Sequence, residues 1–155
     1  MSIIFFNVYR LILLSYSLIY SYFGSLNSSS LDYARYLERY NLNSNLPDWG
    51  SYLLLDWLIF FGNFINLTPS SFYGIIIFIV LTIFLINFLK LYGVKPCFLF
   101  VLIFSLLIPP EDFVHLLKQN LASLLFLIFV FETSKLRFLY LISAILLHWY
   151  ITIFI

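Results

Sequence analysis

An all-α, polytopic membrane fold is the class this sequence predicts, on three observations. Apolar residues make up 63% of the 155 positions and charged ones 10%, where soluble domains run near ~45–50% and ~25%. Eight Lys/Arg and seven Asp/Glu are too few to solvate the surface of a soluble fold of this size, and mean hydropathy is +1.03. The charges also leave long charge-free runs, 11–31, 57–89, 96–110, 119–131 and 138–155, between short polar turns. The same numbers exclude a disordered chain, which needs low hydrophobicity and high charge, and a nucleic-acid binder, which needs clustered basic residues. Cys97 is the single cysteine, so an intrachain disulfide is impossible.

The first element is an apolar anchor over 4–23. Arg10 interrupts its apolar run and no small-x-small site follows, so it is expected to be an uncleaved anchor and not a signal peptide. The run 57–89 is too long for one straight crossing and too short for two. Gly62, Asn63, Asn66, Thr68 and Pro69 punctuate it, which divides it into a segment over 51–66 and a clean span over 72–89. Further spans are expected over 94–109, 114–131 and 137–155, for five in all.

Charge sets the direction. Lys90 and Lys95 follow one span, Lys135 and Arg137 precede another, and basic loops face the cytoplasm. Pro109-Pro110-Glu111-Asp112 carries no positive charge and faces outward. Segment 51–66 is short and carries Asp56, and an acid in a short span costs more than one at the interface. It is therefore expected to lie in the interface or dip back, with Asp56 wet and the N-terminus cytoplasmic.

Loop 24–50 then lies outside. Ser29-x-x-Asp32 has the form of a helix start, with a hydroxyl cap and an acid in the first turn. Tyr33, Tyr36, Leu37 and Tyr40 share one helical face, while Asp32, Arg35 and Arg39 share the other. A turn-rich stretch with Pro47 and Asp48 follows. A helix lying among lipid headgroups and a carbohydrate-binding surface use the same residue types, and both readings stand.

Ionisable groups within spans are costly and mark function. Lys118, with Gln119 and Asn120 after it, falls toward the outer end of its span, and His115 lies one turn earlier. His148 falls in the outer half of the last span. The bland roles are a snorkelling lysine, interhelical amides and a packing histidine beside Trp149. The spacings match no metal site, P-loop or nucleophile elbow.

Taken in order, Asp32-x-x-x-Tyr36-x-x-x-Tyr40, Pro47-Asp48-x-Gly50-x-Tyr52-x-Leu54-Leu55, Lys118-Gln119-x-x-Ala122 and Leu147-His148 resemble the EpsG-type family, the Wzy-like polymerases of bacterial exopolysaccharide and O-antigen. Lys118 stands where that family carries Arg, and an ammonium lacks the two-pronged grip of a guanidinium. Pro47-Asp48 replaces a Glu-Pro pair. Family members are longer, so the likeness is to their N-terminal half, and a truncated or split reading frame is expected.

The resemblance implies a bacterial inner-membrane enzyme that needs no cofactor or metal. It would transfer glycan from undecaprenyl diphosphate to a lipid-linked repeat unit, alongside other polysaccharide-assembly membrane proteins. On this expectation Lys118 meets the diphosphate, Gln119 positions it, and His148 is the base, with Asp32 or Asp48 as the runner-up. Arg35, Tyr36, Arg39 and Tyr40 hold the glycan. The competing expectation is a non-catalytic membrane protein that binds and regulates a polymerase or another envelope protein.

Overall fold

The computed structural model describes residues 3–26, 31–42, 53–115 and 117–148, and the described residues are helical with short turns between. The elements are α1 (Ile3–Leu26), α2 (Leu31–Leu42), α3 (Leu53–Phe64), α4 (Pro69–Tyr92), α5 (Val94–Leu107), α6 (Pro110–His115), α7 (Leu117–Phe131) and α8 (Arg137–Leu147).

Local chemistry sets the boundaries. α3 ends in a Schellman turn, with Asn66 at φ 56° and bonds from Leu67 N to Gly62 O and Asn66 N to Asn63 O, both 3.0 Å; this satisfies carbonyls that a helix end otherwise leaves open. Thr68 caps α4 by accepting from Ser71 N at 3.3 Å, and Pro69 follows at the position where its missing N–H costs nothing. The expected start at residue 72 therefore moves back by one turn. Gly93, at φ 81° and ψ −174°, ends α4, and its N–H donates to Leu89 O. Pro109 and Pro110 separate α5 from α6, since a proline disfavours helical geometry in the residue before it. Helix α8 ends at Leu147, with His148 extended at φ −153° and ψ 109°, so His148 stands at a helix end and not inside the continuous span expected over 137–155. Residues 149–155 lie outside the described residues.

Side-chain pairs fix the helix directions. Tyr9 meets Phe98, Tyr16 meets Ser105 and Tyr20 meets Ile108, so α1 and α5 run parallel at a nearly constant offset. Cys97 of α5 reaches Leu85 O of α4 across the one-residue turn at Gly93, so α4 runs opposite to α5 and therefore to α1, where Ser25 approaches Gly74. Phe131 touches Phe88 and Tyr92, so α7 runs with α4, and Phe129 against Phe138 turns α8 back along α7. The result is an alternating bundle of α1, α4, α5, α7 and α8. Lys90, Lys95, Lys135 and Arg137 emerge at one end of it. The short helices α2, α3 and α6 and the first turn of α7 occupy the other.

The core is apolar and aromatic, with Tyr73, Ile77, Leu81, Phe84, Leu85, Leu121 and Ile128 almost wholly buried. Large apolar side chains also cover the outside, among them Leu11, Leu18, Ile79, Leu102, Leu106, Leu139 and Ile142. Among the described residues α4 alone, with 24 residues, is long and apolar enough to cross a bilayer. Helix α1 has the same length but carries Arg10 and a run of serines and tyrosines. Helices α5, α7 and α8 are shorter apolar helices.

Candidate functional site

Lys118 of α7 lies over the Tyr36 ring of α2 at the end of the bundle opposite the basic turns, and His148, just past the last residue of α8, is within electrostatic range of it. Lys118 lies in the first turn of α7, half-buried, with Nζ 5.8 Å from the centre of the Tyr36 ring. That is within the reach of a cation–π attraction. His148, at the C-cap of α8, lies within electrostatic range of the Lys118 ammonium. The antiparallel packing of α7 and α8 produces this proximity, since the end of one lies beside the start of the other.

Tyr36 is held from below. The Tyr73 hydroxyl of α4 donates to the Tyr36 carbonyl at 2.7 Å, and the two rings lie 6.1 Å apart. Tyr73 itself is fully buried, so α2 is pinned to the first turns of α4 by a group that cannot be exchanged for water.

Two residues assigned to glycan contact do other work. Tyr40 is 2% exposed, and its hydroxyl donates to Leu67 O at 2.9 Å. Burial pushes its phenol above the ordinary tyrosine value, so it stays a donor. Tyr40 is therefore an anchor of α2 on α3 and not a free aromatic face. Asn63 reinforces it by donating to Tyr40 O at 3.0 Å. Arg39 grips Asp56 with two bonds, Nε to Oδ1 and Nη2 to Oδ2, each 2.7 Å. The wet interfacial acid expected at 56 is thus corrected to a fully buried carboxylate, because α3 turns that face toward the guanidinium of α2.

Arg35 on α2 and Gln119 on α7 are exposed. Asn120 donates to Phe113 O at 2.9 Å and ties α6 to α7, a packing role. Asp32 belongs to the first turn of α2 by its backbone, and its side chain is outside the description, as is that of His115. Asp48, with all of 43–52, lies outside the described residues too. No group of three or more His, Cys, Asp or Glu gathers as metal ligands among the described residues.

Three features went unremarked in the sequence: the Arg39–Asp56 pair, the Tyr73 support and a groove between α1 and α4. The groove has a volume of about 380 Å³ and is lined by Ser21, Ser25, Ser70 and Ser71 with Leu18 and Phe78 among its apolar walls. A signal for the ion pair existed, because Asp56 sits in Leu53-Leu54-Leu55-Asp56-Trp57-Leu58 and a carboxylate on so apolar a helix demands a cation.

Chemically, the cluster offers an ammonium partly withdrawn from water, an aromatic face and an imidazole. That combination suits an anion carried on a sugar-like or lipid-like group. No family model, curated protein or solved structure matches the chain.

Proposed function

We propose that the chain is a polytopic membrane protein of the bacterial inner membrane, with polysaccharide-polymerase-like chemistry at the end of the bundle where Lys118 lies. The membrane reading is supported by α4, by the apolar side chains on the bundle's exterior, and by the division of charge between its ends. A lipid solvent accepts those side chains without the cost that water imposes. Helix α3, 12 residues long and roughly 18 Å in length, then lies at the outer interface, with Trp57, Phe61 and Phe64 outward.

The observation that carries the catalytic reading is Lys118 lying over the Tyr36 ring with His148 within its electrostatic range, three groups from separate parts of the chain. In the proposed reaction a sugar hydroxyl of the acceptor attacks the anomeric carbon of a glycan on undecaprenyl diphosphate. The new C–O bond forms as the bond to the diphosphate oxygen breaks, with inversion. His148 takes the hydroxyl proton, and the Lys118 ammonium meets the charge that develops on the leaving diphosphate. Tyr36 offers its ring to the sugar and Arg35 its exposed guanidinium. Gln119 serves as the neighbouring amide.

The test is polymer length in a strain lacking its own polymerase and supplied with this chain. Long glycan ladders from the native chain, lost in Lys118→Met and His148→Ala with both proteins still in the membrane, support the reading. Unchanged ladders in both variants overturn the assignment. Single repeat units from the native chain, with the protein in the membrane, favour a binding or regulatory role instead.

A further inference from the structure

We propose that the end of the bundle opposite Lys118 is a docking face for acidic phospholipid headgroups, a reading that rests on the membrane placement above. Four cations emerge there, all exposed: Lys90 in the last turn of α4, Lys95 in the first turn of α5, Lys135 in the α7–α8 turn and Arg137 at the start of α8. The two turns that carry them are held side by side, since Tyr92 of α4 packs on Phe131 of α7 at 5.7 Å. Glu132 is the carboxylate of the α7–α8 turn. The Ser134 N–H holds it below the usual carboxylate range, and the Lys90 charge adds to this. Four positive charges thus face one negative charge among the described residues of these turns.

What chooses the partner is the apolar surface between the cations. Leu91 (48%), Tyr92 (51%), Leu136 (61%) and Phe138 (51%) are exposed within one or two residues of them. The Arg137 guanidinium lies 4.9 Å from the centre of the Phe138 ring, so charge and apolar surface are joined in one side-chain pair. A nucleic acid or an acidic peptide would meet the cations and leave these side chains wet. A phospholipid satisfies both, its phosphodiester at the cations and its glycerol and acyl carbons along the apolar residues. Zwitterionic lipid supplies the carbon but no net negative charge, so the face discriminates by headgroup.

The full chain, reconstituted in phosphatidylcholine vesicles and floated on a density gradient, first tests membrane placement. Failure to float overturns that placement and this proposal with it. The thermal unfolding of the floated protein's detergent-solubilised form is then followed with added phosphatidylglycerol, phosphatidylcholine or inorganic phosphate. Phosphatidylglycerol alone should raise the unfolding temperature, and its apparent affinity should fall roughly five-fold for each cation replaced by Gln. The combined K90Q/K95Q/K135Q/R137Q chain should lose the increment while keeping its unfolding temperature in phosphatidylcholine. About 0.5 M salt should abolish the increment in the unaltered chain, because screening at that strength acts within a few ångströms; this arm decides the matter if the combined variant does not fold. An equal increment from phosphatidylcholine or free phosphate, or one that survives both salt and the substitutions, overturns the proposal.

Discussion

Arg39 and Asp56, 17 positions apart, are joined by a two-pronged ion pair in which the acid is wholly buried and the guanidinium about one-third exposed (34% against 0%). The unequal exposure makes the two deletions unequal. Arg39→Met leaves a fully buried carboxylate without its two-pronged cation, which costs about 3–5 kcal/mol. Asp56→Asn leaves a neutral amide, while the arginine can still turn toward water. That loss is nearer 1–2 kcal/mol. Denaturant unfolding of the two variants in detergent should rank them in that order, and the reverse ranking would refute the burial asymmetry.

Gly62 decides whether α2 and α3 can approach at all. A Cβ there would stand 2.5 Å from Phe72 Cδ2 and 2.9 Å from the Tyr40 hydroxyl. On an exposed helix, replacing Gly by Ala gains about 1 kcal/mol. Here overpacking costs about 1–3 kcal/mol, and both neighbours are buried, so the penalty wins. Gly62→Ala is expected to destabilise the chain, seen as a lower denaturant midpoint than that of the unaltered chain.

Helices α4, α5 and α7 were legible because a charge or a proline closes each of their apolar runs. Thr68-Pro69, Gly93 and Pro109-Pro110 mark ends through chemistry that one or two residues carry. Gly62 was visible only as punctuation, since no pattern in the sequence says that Phe72 will press on it. The Arg39 partner of Asp56 was hidden for a different reason: residues 43–52 separate α2 from α3 in sequence, and pairing across that gap is set by packing and not by spacing. At the candidate site, Lys118 and His148 stood out as polar groups in apolar runs. Tyr40 misled, because an amphipathic stripe of tyrosines does not reveal which ring lies under the helix and which beside it.

Gly93 presents the opposite case to Gly62. Nothing lies within 4 Å of its virtual Cβ, so space is not the obstacle. Its backbone, at φ 81° and ψ −174°, falls in a region essentially reserved for glycine. Gly93→Ala is expected to cost about 1–3 kcal/mol through backbone strain alone. The diagnostic is that Gly93→Asn, which gains no packing, fails equally, whereas a rescue by any smaller neighbour would point to a steric cause.

Tyr20 and Tyr16 stand one turn apart on α1 and make superficially similar bonds to α5, and their removal should differ. The Tyr20 hydroxyl donates to Ile108 O at 2.6 Å, at a point where two prolines follow. Their nitrogens carry no hydrogen to offer that carbonyl instead. The Tyr16 hydroxyl meets Ser105 Oγ at 2.7 Å, but Ser105 donates its own hydrogen to Val101 O at 2.8 Å, so Tyr16 is the donor there. Losing it leaves Ser105 with a partner. Tyr20→Phe preserves the ring contacts with Phe104 and Phe113 and removes the hydroxyl's bond to Ile108 O, leaving a carbonyl unsatisfied at a cost of about 1–2 kcal/mol. Tyr16→Phe should cost about 0.5 kcal/mol, the low end for an intramolecular hydrogen bond whose partner keeps another bond. Unfolding in detergent micelles measures the difference, and equal losses would show that the Ile108 carbonyl finds another donor when Tyr20 is gone.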